Sequence, residues 1–200
     1  LANLDKHIKN MQSFGQTVIV AFNHYAGDVE EEQNIVREYC ESIGVGFAIN
    51  DAYAKGGEGA ADLARLVVDT IEQKPSQPLN LVYDDEDTIE TKIEKVCKNI
   101  YGAASISFAA PAKKKLQMIR DLGYENFPIC IAKTQYSFST DAKQYCVASG
   151  FDVNVRDIVI NAGAEMIVVV AGNIMRMPGL PKVPAAMHID IVNGEIEGLS

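Results

Sequence analysis

Apolar positions recur along this chain in two alternating rhythms. Between residues 3 and 14, Leu4, Ile8 and Met11 fall at helical spacing, and Gly15 supplies a stop. Residues 17–22 (TVIVAF) form a short continuous apolar run, the mark of a strand covered on both faces of a parallel sheet. Residues 23–28 then read as a loop, with Asp28 placed to cap the next helix. That helix carries Ile35, Val36, Tyr39, Cys40 and Ile43 on one face. Glu30, Glu31 and Glu32 occupy its first turn, where carboxylates meet the positive end of the helix dipole. Gly44 closes it. A second strand is predicted over 45–49, a glycine-rich loop over 50–59, and a third helix over 60–73 with Leu63, Val67, Val68 and Ile71 facing inward.

Pro75 and Pro78 interrupt the pattern, and residues 79–83 predict a short strand. An amphipathic helix over 88–100 (Ile89, Ile93, Val96, Ile100) ends at Gly102, a brief strand falls near 106–108, and a helix over 111–122 ends at Gly123. Residues 128–132 form another buried apolar run. Beyond Gly150 the rhythm changes. Val153 and Val155 alternate with polar residues, 158–160 and 166–170 are strand-like, and Asn193-Gly194 between alternating runs signals a hairpin. Pro178, Pro181 and Pro184 punctuate what reads as a long surface loop. The predicted fold is α/β: a layered, mostly parallel sheet flanked by helices, with a β-rich C-terminal tail. Residues 1–150 are the alternating β/α section; residues 151–200 are the tail, expected to pack on the same domain.

Composition narrows the function classes. The 200 residues suffice to bury about 70% of the unfolded surface, so no disulfide or metal staple is required. At 48% apolar and 22% charged the chain is an ordinary globular one. With 27 Asp and Glu against 18 Lys and Arg, the net charge of −9 argues against nucleic-acid binding. Cys40, Cys97, Cys130 and Cys146 show no C-x-x-C pairing and read as buried free thiols. No signal peptide or membrane-length apolar stretch occurs, so a reducing cytoplasm is expected. The start at Leu1, directly in helical sequence, suggests a piece of a longer protein.

In open α/β sheets ligands bind beyond the carboxyl ends of the strands. Three loops qualify, at 23–28, 50–59 and 133–139, and each carries a tyrosine: Tyr25, Tyr53 and Tyr136. If the first two strands are neighbours, Tyr25 and Tyr53 face one another and can sandwich a flat heterocycle. The alternative is that each ring caps the sheet edge with its hydroxyl in water. Lys55-Gly56-Gly57-Glu58-Gly59 opens a helix, where backbone N–H groups and Lys55 can meet an anion, or simply form a flexible turn. His24 neighbours the same place. His7, beside lysines, and the run Lys113-Lys114-Lys115 read as solvated helix faces. No P-loop, H-E-x-x-H, EF-hand or G-x-S-x-G motif is present, and no metal site is expected.

Several segments carry a resemblance. They are Leu4-Asp5-Lys6-His7-Ile8, Val20-Ala21-Phe22-Asn23, Ala54-Lys55-Gly56-Gly57-Glu58-Gly59, Lys92-Ile93-Glu94 and Ile100-Tyr101-Gly102-Ala103. Ala132-Lys133-Thr134-Gln135-Tyr136-Ser137 and the run from Met177 to Ala186 complete the set. Together, in this order, they resemble the C-terminal part of the formate–tetrahydrofolate ligase family.

The resemblance implies an ATP-dependent enzyme that joins formate to tetrahydrofolate through formyl phosphate. ATP with Mg would be handled by a larger N-terminal P-loop domain lying outside this chain, and the assembly would be a homo-oligomer, commonly a tetramer. This portion would supply aromatic walls for the ring of adenine or of the pterin. An Asn-Arg-Phe-Pro segment of the family is matched by Asn23-His24-Tyr25-Ala26, and a tryptophan before Ala-Lys-Gly-Gly by Tyr53. Ile49 falls where the family has leucine at the same pocket. The resemblance thus assigns ring binding to Tyr25, Tyr53, Ala26 and Ile49, with His24, Lys55, Gly56 and Gly57 as further contacts. No residue here is an expected catalyst, and the isolated segment is expected to be inactive. The alternative is a binding or assembly module of the same fold without ligase activity.

Overall fold

Helix α1 (Ala2–Ser13) leads into strand β1 (Ile19–Asn23), helix α2 (Glu30–Ser42) and strand β2 (Gly46–Asn50) of the computed structural model, which describes residues 1–174 and 182–198. A short helix α3 (Ala52–Lys55) and a 3₁₀ turn (Gly56–Ala60) then lead into α4 (Ala61–Gln73), so the expected loop over 50–59 is in fact wound. β1 and β2 pair in parallel, with Ile19 opposite Gly46 and Asn23 opposite Asn50. On one face Val20 and Phe47 pack towards Ile8 of α1 and Cys40 of α2. On the other face α4 lies over β2, where Gly46 leaves room for Leu66. Asp28 does not cap α2, because the helix begins after Val29. Its carboxylate instead accepts the Tyr25 N–H at 2.8 Å and closes the loop.

The second layer is larger. Helix α5 (Ile89–Val96) starts at Thr88, whose hydroxyl accepts the Thr91 N–H at 3.2 Å, and passes into a π turn (Cys97–Tyr101). Strand β3 (Ser105–Phe108), helix α6 (Ala110–Leu122), and strands β4 (Ile129–Ala132), β5 (Asp152–Asn161) and β6 (Met166–Ala171) follow. The sheet order is β3-β5-β6-β4, with β3 parallel to β5 and β4 parallel to β6. β5 and β6 are antiparallel, because only a short link, the 3₁₀ turn Ala162–Ala164 followed by Glu165, joins them. Two of its three pairings, like that of β1 with β2, are parallel, so the sheet is mostly parallel as expected, with one antiparallel junction in the middle. Ile89, Ile93, Leu116 and Ile119 from the helices close on Val155, Ile158 and Ile167, forming the main core.

Polar bonds tie the two layers together. Asn10 on α1 is buried and donates to the Ile100 carbonyl at 3.1 Å, and the His7 ring lies 4.9 Å from that of Phe138. Residues 79–83 form no strand: Leu79 and Leu81 are exposed, and the Asn80 N–H goes to the Phe14 carbonyl. Cys40 and Cys97 are buried as expected, whereas Cys130 and Cys146 are exposed. β4 alternates, and Cys130 takes its outward position between Ile129 and Ile131. The inward face expected of α4 also needs correction. Leu63 and Leu66 are half-buried, but Val67, Val68 and Ile71 lie exposed.

Near the C-terminus, β7 (Asp190–Val192) and β8 (Glu195–Glu197) pair as an antiparallel hairpin. Asn193 (φ 55°) and Gly194 (φ 86°) are both left-handed, which the tight two-residue turn requires. Met177, Pro178 and Pro181, with most of the proline-punctuated loop, lie outside the described residues, as do Leu199 and Ser200. Among the described residues no helix is long and apolar enough to cross a membrane.

Candidate functional site

Because β1 and β2 run parallel and in register, the loops that follow them emerge side by side. Asn23 and Asn50, opposite each other at the last register position, join through an amide bond from Asn50 Nδ2 to Asn23 Oδ1 at 2.9 Å. The His24 N–H extends the ladder to the Asn50 carbonyl at 3.0 Å. Tyr25 and Tyr53 follow directly. Their ring centroids are 6.1 Å apart and the planes are inclined by 48°. Tyr25 is 57% exposed and Tyr53 69%. The two rings therefore touch in a tilted pair that stands in solvent. A flat ligand between parallel walls needs roughly 7 Å, two van der Waals layers. The pair must swing open slightly to admit one, and exposed side chains rotate freely enough to do so.

The same two loops carry a charged anchor, centred on Asp51, that the sequence pattern did not reveal. The Asp51 side chain is only 13% exposed; it holds Lys55 Nζ at 2.7 Å and approaches His24 Nδ1 at 3.4 Å. These partners, Lys55 first, hold the Asp51 carboxyl below its ordinary range, and the carboxylate in turn raises the Lys55 ammonium. The i,i+4 spacing of Asp51 and Lys55 on a helical turn was the signal available. The backbone adds a second clamp: the Asp51 N–H donates to the Gly59 carbonyl at 3.0 Å. Lys55 is thus engaged by a carboxylate, and Gly56 and Gly57 lie exposed on the outer side of the turn. Ala26 is exposed beside Tyr25, and Ile49 is half-buried on β2 opposite Phe22.

The third candidate loop belongs elsewhere. Tyr136 follows β4 in the second sheet and lines a cavity of about 270 Å³ with His7, Tyr101, Lys133, Thr134 and Phe138. Lys133 is occupied there by structure. Its ammonium donates to the carbonyls of Thr134 and Ser137 and lies 4.8 Å from the Tyr101 ring centre. Burial lowers its pKa. The Ala-Lys-Thr-Gln-Tyr-Ser segment is therefore pinned by its own lysine, and Tyr136 takes no part in the Tyr25–Tyr53 pair. Among the described residues no group of three or more His, Cys, Asp or Glu side chains converges as a metal site would require.

What this arrangement offers chemically is a pair of exposed π faces on loops that also carry a carboxylate paired with Lys55. Comparison with known proteins gives it a context. All of residues 1–200 match the family model described as formate–tetrahydrofolate ligase. The chain is 64% identical over 200 residues to the formate–tetrahydrofolate ligase of Phocaeicola vulgatus, and 59% identical to that of Bacteroides fragilis. It is 56% identical to the protein of the same name from Porphyromonas gingivalis. In each case the match takes in the whole of this chain but 36% of the relative, so the chain spans little more than a third of the length of these proteins.

Proposed function

Because this chain belongs to the formate–tetrahydrofolate ligase family, we propose that it is the ring-positioning part of an ATP-dependent ligase acting on formate and tetrahydrofolate. In this reading ATP phosphorylates formate to formyl phosphate, and the N10 amine of tetrahydrofolate then attacks the formyl carbon and expels phosphate, giving 10-formyltetrahydrofolate. The phosphate and Mg chemistry belongs to the portion of the parent outside this chain. The observation that carries the reading is the Tyr25–Tyr53 pair at the carboxyl ends of two adjacent parallel strands. A flat ring, pterin or adenine, stacks there, with Ile49 and Ala26 as its apolar surroundings. Holding one reactant in a fixed orientation lowers a bimolecular barrier by several kcal/mol, as long as the partner is delivered to it.

Asp51 supports the same reading. It holds Lys55 and approaches His24, the residue before Tyr25, and so fixes the two loops that carry the tyrosines. The test uses two samples. One is the 200-residue chain. The other is a full-length chimera in which it replaces the matching segment of the Phocaeicola vulgatus relative. Formate- and folate-dependent ATP consumption is expected from the chimera and not from the chain alone. Turnover by the chain alone would overturn the division of labour. Failure of both samples to bind tetrahydrofolate and adenine nucleotides would overturn ring binding and leave an assembly role.

A further inference from the structure

The first sheet is unfinished. β1 and β2 are its only strands among the described residues. A parallel pair cannot stand as a complete sheet, since parallel strands are stable only when paired and covered on both faces. The His24 to Asn50 bond sets the parity of the ladder. Residues 20, 22 and 24 of β1 turn their backbone groups to β2, so Ile19, Ala21 and Asn23 direct theirs to the opposite edge. No other described strand takes them.

The covering is equally one-sided. α4 packs on β2, where Ala48 is buried. Ala21, the register partner of Ala48 on the same face, is exposed. A helix lying over Ala21 would run beside α4, and α4 carries an apolar flank of Ala64, Val67, Val68 and Ile71 that stands in solvent. Asp62, Arg65, Asp69 and Glu72 keep its other flank polar. An unpaired edge, a bare face and an apolar helix flank are the three surfaces that one further strand–helix unit would cover. The relatives offer the occupant, since nearly two-thirds of their length has no counterpart in this chain.

We propose that in the full-length ligase a strand from the part of the polypeptide outside these 200 residues pairs with the free edge of β1. Its attached helix seats over Ala21 against the Val67–Ile71 flank of α4. The sheet bearing Tyr25 and Tyr53 is thus shared between this chain and the remainder of the enzyme, which fixes the rings relative to the phosphate machinery. The inference rests on family membership and sheet geometry, and stands whether or not the rings bind pterin or adenine.

Amide hydrogen exchange tests it. The Ala21 and Asn23 amides are expected to exchange roughly 100-fold more slowly in the full-length chimera than in the 200-residue chain, the kind of gap that separates frayed from structured amides. Ala21→Arg should lower the unfolding midpoint of the chimera by several degrees and leave that of the isolated chain unchanged. Equal exchange in both samples overturns the proposal. So does protection in the isolated chain with a dimeric mass, which would put a second copy on the edge. If the chimera does not fold, the same exchange comparison between the Phocaeicola vulgatus enzyme and its own matching segment decides the question.

Discussion

Gly59 lies so close against Asp51 that a methyl group added to it would fall 2.3 Å from the Asp51 carbonyl oxygen. This contact returns the chain to the end of β2 and sets the turn that carries Tyr53. The glycine at this point is thus a packing requirement of the site, not a sign of flexibility. Gly59→Ala must push the two segments apart, at a cost of about 1–3 kcal/mol. A lowered midpoint of thermal unfolding, together with weakened ring binding, is the expected result. Unchanged melting would show that the turn relaxes without effort.

Asp51 makes stability depend on acidity. Lys55 and His24 hold its carboxyl below the ordinary range, so the folded protein takes up that proton less readily than the unfolded chain. The resulting stabilisation is complete above the ordinary carboxylate pKa of about 4 and is lost as pH falls through the depressed value. Wild type is therefore expected to lose more stability than Asp51→Asn between about pH 5 and pH 3. Denaturant titrations across that range would show parallel curves if Asp51 were not pinned.

Tyr53 offers a gain-of-affinity prediction. Tryptophan, which the family resemblance places at this position, presents a larger stacking face. Tyr53→Trp is expected to tighten ring binding roughly 3- to 10-fold. Calorimetric titration with tetrahydrofolate and adenine nucleotides would also show which ring gains. No gain with either would mean that the second wall does not contact the ligand.

Lys92 is a structural lysine. It is fully buried on α5, donates to the carbonyls of Glu125 at 2.9 Å and Phe127 at 3.2 Å, and lies 5.6 Å from the Tyr83 ring centre. Burial lowers its pKa, partly opposed by nearby acidic residues. Lys92→Ala leaves two carbonyls without a donor and opens a cavity, a loss of about 2–4 kcal/mol. Chemical denaturation should register it as a lower midpoint at constant slope; an unchanged midpoint would show that water replaces the ammonium.

Much of this architecture was legible in the sequence because its elements are short and cleanly punctuated. Gly15, Gly44, Gly102 and Gly123 each stand at a helix end or in the turn after it, and Asn193-Gly194 forms its hairpin turn. The facing of Tyr25 and Tyr53 followed from strand adjacency alone. What stayed hidden depended on partners distant in sequence. The apolar pattern of α4 predicted burial, but a helix flank is buried only if another element covers it, and Val68 and Ile71 have none among the described residues. The β5–β6 hairpin read as a tail, although its pairing places it between β3 and β4. Asp51 was invisible as an anchor because a carboxylate in a loop looks solvated until its lysine and histidine are placed in space.

Ring binding by the tyrosine pair is tested most directly by titrating tetrahydrofolate and ATP into the full-length chimera with and without Tyr25→Ala and Tyr53→Ala together. Both rings stand in solvent, so their removal should leave the unfolding midpoint in place. Affinity for one of the two ring-bearing ligands should fall roughly 10- to 100-fold, the loss expected for removing stacking faces. Unchanged affinity for both ligands would contradict ring binding at Tyr25 and Tyr53.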